Sequence, residues 1–183
     1  PPVIVIVGRV AELGEGFTWF ASRPLHGCGI LVTRAAGQHD SLVEPLRELG
    51  AEVFHQPVFS VQPPEDFTAM DRAIDELRRG GVAGITFSSG NGVSGFMQRV
   101  AERQLDSRIF AGTSLAAVGV ATAQHLRNHG LRCDVLPPPD ESQSAAGLLA
   151  GLSQQVSAGD RWWLTTTNRS RPTLAEGLRR LWS

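Results

Sequence analysis

The chain contains no tyrosine and no lysine, and only two cysteines and two methionines among 183 residues. Each scarcity excludes something. Cys28 and Cys133 lie far apart without Cys-x-x-Cys spacing, so a disulfide scaffold is not expected and a reducing cytoplasm fits better. Without lysine no phosphate-loop motif of the Gly-Lys-Ser/Thr type can exist. Neither sign of charge dominates: 17 basic residues face 18 acidic ones, for a net charge of −1. The electrostatic footprint of a nucleic-acid or membrane-surface binder is therefore missing. The longest purely aliphatic run, Val3 to Val7, is far too short to cross a bilayer, and no signal-peptide pattern precedes it. The chain begins without Met, which suggests a piece excised from something longer. What remains is ordinary globular material, 42% hydrophobic, enough for one good core or two small ones.

Short apolar runs alternate with segments of helical spacing. Gly29 to Thr33 reads as a buried strand, followed by a helix with Leu42, Leu46 and Leu49 on one face and Gly50 as its stop. Pro45 should kink or delay that helix. Val53 to Val61 is extended, interrupted by Pro57. Phe67, Met70, Ile74 and Leu77 mark an amphipathic helix closed by Gly80-Gly81. Strand Gly84–Phe87 and helix Gly92–Arg103 follow, then strand Leu115–Val118 and helix Ala121–His129, ended by Gly130. Arg132–Leu136 reads as a short strand, Ala146, Leu149 and Leu152 as a helix face, and Arg161–Thr165 as a last strand. Pro172 suits the first turn of a final helix carrying Leu174, Leu178 and Leu181. The alternation predicts an α/β chain: a flavodoxin-like, three-layer arrangement with a parallel sheet covered on both faces.

In such sheets ligands bind beyond the carboxyl ends of the strands. Those ends carry Thr33-Arg34, Ser88 to Gly92, Gly119 to Thr122, and Thr165 to Arg171. They are rich in hydroxyls, glycines and arginines, and they offer no catalytic triad or carboxylate pair. Where such a strand end opens a helix, orphan N–H groups and the positive end of the dipole face outward together, which suits an anion. The candidate binding residues are Thr33, Arg34, Ser88, Ser89, Asn91, Gly92, Gly119, Thr122 and Arg169. Each has a plainer reading. Ser88, Ser89, Asn91 and Gly92 could simply cap a helix and relieve a tight turn, and Thr122 could be an ordinary first-turn hydroxyl. Arg34 could pair with Glu52 or Asp40, and Arg169 and Arg171 could be solvated surface. His125, His129 and Cys133 have suggestive spacing, but Gly130 intervenes and no motif supplies further ligands, so no metal site is expected. Trp162 and Trp163 on one strand must face opposite ways.

Leu31-Val-Thr-Arg34, Thr86-Phe-Ser-Ser-Gly-Asn-Gly-Val93, Ala117-Val-Gly-Val-Ala-Thr-Ala123, Ala145-Ala-Gly-Leu-Leu149 and Arg169-Ser-Arg-Pro-Thr-Leu174 stand in an order that resembles uroporphyrinogen-III synthase. The resemblance runs from about Gly27 to the C-terminus. Pro2-Val-Ile-Val-Ile-Val-Gly8, with Val10 and Trp19-Phe20, is similar to the closing strand and tail of a uroporphyrinogen-III C-methyltransferase, a neighbour often fused ahead of the synthase. The implied organisation is a methyltransferase remnant over residues 1–24, the strand-helix-strand start of the first synthase domain over 25–60, and a nearly complete second synthase domain over 61–183. The resemblance implies an enzyme that takes hydroxymethylbilane, a linear tetrapyrrole with eight carboxylates, expels its hydroxyl as water and closes the ring with the last pyrrole inverted. It implies no cofactor and no metal.

The chain departs from that family at two places. The family's tyrosine, often proposed as a proton donor, lies beyond the return crossing, and this chain has no tyrosine. The strand end that usually reads Leu-Pro-Arg-Gly is Leu164-Thr-Thr-Thr167 here, with Thr166 where an arginine is expected. The resemblance therefore implies one incomplete domain and a fragment inactive by itself. The competing reading is a flavodoxin-like anion- or nucleotide-binding module without catalytic activity.

Overall fold

The computed structural model describes residues 3–17, 19–35, 40–166 and 172–182. The chain divides into two compact units, Pro1–Gln62 and Pro63–Ser183.

The first unit is a small parallel pair. Strand β1 (Gly29–Val32) runs through helix α1 (Asp40–Glu48) into β2 (Glu52–His55), with Gly29 opposite Glu52 and Val32 opposite His55. Val32, Val43 and Ala51 are buried, while Leu31 and Phe54, paired in register, are more than half exposed. Two facts correct the expected pattern. The buried residue of α1 is Val43, and both Leu42 and Leu49 are largely exposed, because a two-stranded sheet covers only a narrow stripe of helix. Helix α1 also runs through Pro45 rather than starting after it. The lost N–H costs one ladder bond, and the helix still closes normally, with Gly50 at φ +96°. A Cβ at Gly50 would lie 2.7 Å from the Arg23 Cβ, so glycine is required there for space as well as for torsion. A 3₁₀ segment, Arg9–Phe17, precedes this unit's strands and has no sequence signal of its own.

The second unit is a three-layer sandwich. Its elements are α2 (Thr68–Arg78), β3 (Gly84–Phe87), α3 (Gly90–Glu102), a 3₁₀ turn (Ser107–Phe110), β4 (Ser114–Ala117), α4 (Val120–Asn128), α5 (Ala145–Leu152), β5 (Trp162–Thr165) and α6 (Thr173–Trp182). The sheet is parallel with order β4–β3–β5. Strand alternation sorts its side chains between two cores. Ile85, Phe87, Leu115 and Ala117 pack with Ile74, Leu77, Val93, Phe96, Val100, Ala123 and Leu126 from α2, α3 and α4. Ala116 faces the other way, onto Leu148 and Leu152 of α5 and Leu174 and Leu178 of α6. Trp163 joins the first core and Trp162 the second, as a strand requires. Trp162 lies so close over Gly84 that a Cβ there would fall inside its ring contact, so the first residue of β3 must be glycine. Burying side chains such as Phe96 and Leu126 stabilises the unit by about 1.5–3 kcal/mol each.

Three expectations need correction. Arg132–Leu136 is not a strand: it contributes one isolated parallel bridge, Ala116 to Val135. The Asp134 carboxylate accepts the Leu115 N–H at 2.9 Å, and the Leu115 carbonyl takes both the Asp134 and Val135 N–H groups, so a regular ladder cannot propagate. Helix α3 begins at Gly90 rather than Gly92, because Ser89 is its N-cap. Helix α5 buries Gly147, Leu148, Gly151 and Leu152, while Ala146 is exposed. Its two glycines let the backbone at Leu136 and Ser142 lie directly against the helix.

Candidate functional site

Strand order places the second unit's switch point between β3 and β5. From β3 the chain turns into α3 on one face of the sheet, whereas α6 after β5 packs on the other. The carboxyl ends of these two neighbours therefore open a crevice, the position where ligands settle in parallel α/β sheets. Its floor is stitched together by hydroxyls. Ser88 donates to the Thr165 carbonyl at 2.8 Å, and Thr165 donates to the Thr86 carbonyl at 3.1 Å. A Cβ at Gly92 would meet Thr165 Oγ1 at 3.2 Å, so the first turn of α3 is held against the end of β5.

Each candidate residue now has a place. Ser89 caps α3: its backbone is extended (φ −162°), and its Oγ accepts the Gly92 N–H at 3.2 Å. Gly92 therefore has its N–H committed to the cap. Ser88, Asn91 and Gly92 are all partly exposed at the mouth of the crevice. Gly119 is the N-cap of α4 and supplies no side chain to it. Thr122, in the first turn of α4, is 6% exposed. Thr33 and Arg34 belong to the first unit. Both are exposed, and the Arg34 carbonyl accepts from His55 Nε2 at 2.9 Å. Arg34 makes no ion pair with Glu52 among the described residues. Arg169, like Arg171, lies outside the described residues.

Sequence reasoning missed three features of this rim. Gln143 Oε1 accepts the Val120 N–H at 3.0 Å, so a side chain from the loop before α5 occupies the start of α4. Gly119 must be glycine for this, because a Cβ there would lie 2.6 Å from Gln143 Oε1. His125, one turn beyond Thr122 on α4, lays the Nε2–Cδ2 edge of its ring on Gly90, the first residue of α3; a Cβ at Gly90 would come closer than 3 Å to it. The signal was available in the glycine at that position. Gly90-Asn-Gly-Val-Ser-Gly95 also has the glycine spacing of dinucleotide-binding turns, and it does follow a strand and open a helix. The rest of that fingerprint is missing, because β4 ends in Ala117-Val118-Gly119 where a ribose-binding carboxylate would stand.

The strand ends thus hold hydroxyls, amides, an imidazole and no carboxylate. The unit's charged network lies elsewhere. Arg99 of α3 grips Asp71 of α2 at 2.7 and 2.8 Å and also reaches Glu102, while Arg103 reaches Asp75 at 2.7 Å. The Arg99 hydrogen bonds hold the Asp71 carboxyl below its usual range, and the same bonds raise the Arg99 guanidinium. Glu76 is likewise held low, first by Arg72 and then by the Trp163 indole at 3.1 Å and by Arg161. Burial pushes the Cys133 thiol up, and its sulfur donates to the Leu115 and Val135 carbonyls. Two open hollows of about 390 and 480 Å³ lie at the opposite ends of the helices, beside Gln104 and Arg127 respectively, and neither takes in a candidate residue. Among the described residues no cluster of three His, Cys, Asp or Glu could hold a metal, and no helix is long and apolar enough to cross a membrane.

Comparison with known proteins gives consistent results. A family model described as uroporphyrinogen-III synthase HemD matches residues 40–181. A porphyrin biosynthesis protein HemD from Ruminiclostridium josui is 35% identical over 160 residues, covering 87% of this chain and 31% of the relative. A uroporphyrinogen-III synthase from Synechococcus elongatus is 36% identical over 118 residues, covering 64% of this chain and 44% of the relative. The chain thus spans less than half the length of these curated relatives. Among solved structures, the uroporphyrinogen III synthase of Thermus thermophilus superposes with a TM-score of 0.51 at 18% identity, over 84% of this chain and 57% of that one, a likeness of fold.

Proposed function

The chain belongs to the uroporphyrinogen-III synthase family, and from that premise we propose that it forms part of an enzyme converting hydroxymethylbilane into uroporphyrinogen III with loss of water. The observation that carries this reading is the acid-free rim of the second unit, with Ser88, Ser89, Asn91, Gly92, Gly119 and Thr122 gathered at the carboxyl ends of β3 and β4. A linear tetrapyrrole with eight carboxylates needs donors at fixed spacing, and a neighbouring carboxylate would repel it. The substrate supplies its own reactivity, since loss of the hydroxyl as water leaves an azafulvene-type cation. The enzyme's task is to fold the chain so that closure passes through a spiro intermediate and the last ring turns over, which is chiefly an effect of orientation. Hydroxyl and N–H groups on rigid strand ends suit that task. Thr33, Arg34 and Arg169 are further candidates for substrate contact, the two arginines as cationic partners of carboxylates.

The wider protein that fits is a cytoplasmic one in which a uroporphyrinogen-III C-methyltransferase precedes this chain and the remainder of the first synthase domain follows it. The Val3-Ile-Val-Ile-Val7 run supports the first part, and the 31% coverage of the Ruminiclostridium relative leaves room for both. The test exploits the substrate itself. Hydroxymethylbilane left alone cyclises to the uninverted isomer, so isomer ratio reads synthase action directly. The protein completed with its native C-terminal continuation is expected to give the inverted isomer, and uninverted product alone would refute the assignment. For the present chain, titration with uroporphyrinogen III should give binding, whereas a panel of adenine nucleotides should give none. In the completed protein, Ser88→Ala with Thr122→Ala should weaken tetrapyrrole binding by about 1–3 kcal/mol, Thr122 through a lost charge-assisted hydrogen bond and Ser88 through loss of the bond to the Thr165 carbonyl that holds the rim in place.

A further inference from the structure

We propose that Gln143 is a substrate-binding residue whose side-chain N–H groups donate to a tetrapyrrole carboxylate, an inference that rests on the tetrapyrrole reading above. Its carboxamide is oriented by its own hydrogen bond. A backbone N–H can only donate, so the atom that meets the Val120 N–H at 3.0 Å is the acceptor Oε1. The group is planar, and its two N–H donors are therefore turned away from the α4 backbone, on a side chain that is exposed. A role as helix cap alone does not account for this arrangement. A serine, aspartate or asparagine at position 119 would cap α4 locally, yet the N-cap is Gly119, and the capping group comes from 23 residues away. Glutamine supplies what a local cap would not: an acceptor for the helix and two donors for a ligand on one planar group.

The donors are also held in place before any ligand arrives. The Gln143 side chain lies along Gly119, where a Cβ would come within 3.4 Å of its Cβ, Cδ and Oε1. Ser142 and Ser144 fix the backbone on either side. The Ser144 N–H donates to the Ser142 carbonyl at 2.8 Å, the two hydroxyls share a hydrogen bond of 2.7 Å, and Ser144 Oγ caps α5 through the Gly147 N–H at 3.3 Å. The rotamer freedom that a surface glutamine loses on binding is thus already lost on folding. Chemistry singles out the same residue. The loop Pro137–Ser144 contains no cation, and ionised Asp140 and Glu141 can only accept hydrogen bonds. With the two serines bonded to each other and to α5, Gln143 is the side chain through which this loop offers donors to an anion at the carboxyl end of β4.

Fluorescence titration with uroporphyrin III, a stable octacarboxylate, reads the contact in two variants of the chain. Gln143→Met removes the donors without adding charge and should weaken binding about tenfold, the size of one hydrogen bond to a charged group. Gln143→Glu keeps an acceptor for the Val120 N–H, and its charge favours a helix N-terminus, so the urea midpoint should not fall. Its binding should nevertheless weaken by about tenfold or more. Loss in Gln143→Glu excludes a missing cap as the cause, and loss in Gln143→Met excludes simple repulsion by a new charge. Wild-type affinity in either variant would overturn the inference and keep the tetrapyrrole reading standing. A lower urea midpoint for Gln143→Glu would overturn the amide orientation on which the inference depends. Absence of uroporphyrin III binding by wild type would overturn both readings.

Discussion

Replacing Gly151 by alanine puts two well-measured effects in opposition. In the middle of a helix the change is ordinarily favourable by about 1 kcal/mol, because alanine loses less backbone freedom than glycine. Gly151 sits in α5 where the helix touches the preceding loop: a Cβ built there falls 2.6 Å from the Leu136 carbonyl oxygen and 3.5 Å from Val135 Cγ1. The obstructing atom belongs to the backbone, so no rotamer change can relieve it. Either α5 or the Leu136–Gln143 loop must move by several tenths of an ångström, and overpacking of this kind costs about 1–3 kcal/mol. The net expectation for Gly151→Ala is a loss of about 1–2 kcal/mol. Gly95 is the control. It lies exposed in α3 with nothing within 4 Å of its notional Cβ, so Gly95→Ala should gain about 0.5–1 kcal/mol. Urea unfolding followed by far-UV circular dichroism should move the two midpoints in opposite directions, by about 0.5–1 M for Gly151→Ala and by about 0.3–0.5 M for Gly95→Ala. A stabilised Gly151→Ala would refute the reasoning, since it would mean that the loop does not rest on the helix backbone.

The same structure supports three other expectations. Leu126→Ala, at a fully buried position facing α3 and the sheet, should cost about 2–5 kcal/mol, measured by the same urea experiment. Glu76 has its folded-state pKa lowered by Arg72, Trp163 and Arg161, so its contribution is present above the unfolded carboxylate pKa and is lost as pH falls through the folded value. Acid unfolding of Glu76→Gln should accordingly show a shallower loss of stability below about pH 4.5 than wild type. With a disulfide reagent at about pH 8, exposed Cys28 should react quickly and Cys133 slowly, because burial raises the latter's thiol pKa and its sulfur is engaged with two carbonyls. Equal rates at the two cysteines would contradict that burial.

Periodicity located the second unit well because its helices have a real sheet to cover. Ile74, Leu77, Phe96 and Leu126 are buried where helical spacing puts them. It served worse where cover is thin. In α1 the leucines are the larger residues, yet Val43 is the one that meets the two-stranded sheet. Arg132–Leu136 has strand composition, but the Asp134 carboxylate competes for the Leu115 N–H, and no hydropathy pattern encodes that exchange. At the rim, the small-residue turns at Ser88–Gly92 and Gly119–Thr122 were legible because glycine and serine report backbone demands directly. Gln143 and His125 were not, since each reaches its partner across 23 and 35 residues of sequence and neither belongs to a local motif.

The central position of β3 has a consequence for the order in which the second unit assembles. Its pairing with β4 joins residues such as Gly84 and Ser114, whereas its pairing with β5 joins Gly84 to Trp162, more than twice as far along the chain. Loop-closure entropy alone makes the second pairing costlier by about 0.8 kcal/mol. The β3-α3-β4 half should therefore form first and serve as the template onto which β5 docks. The Ser88 and Thr165 hydrogen bonds that floor the crevice would then be among the last made, so ligand affinity would return during refolding only after most of the helix signal has recovered.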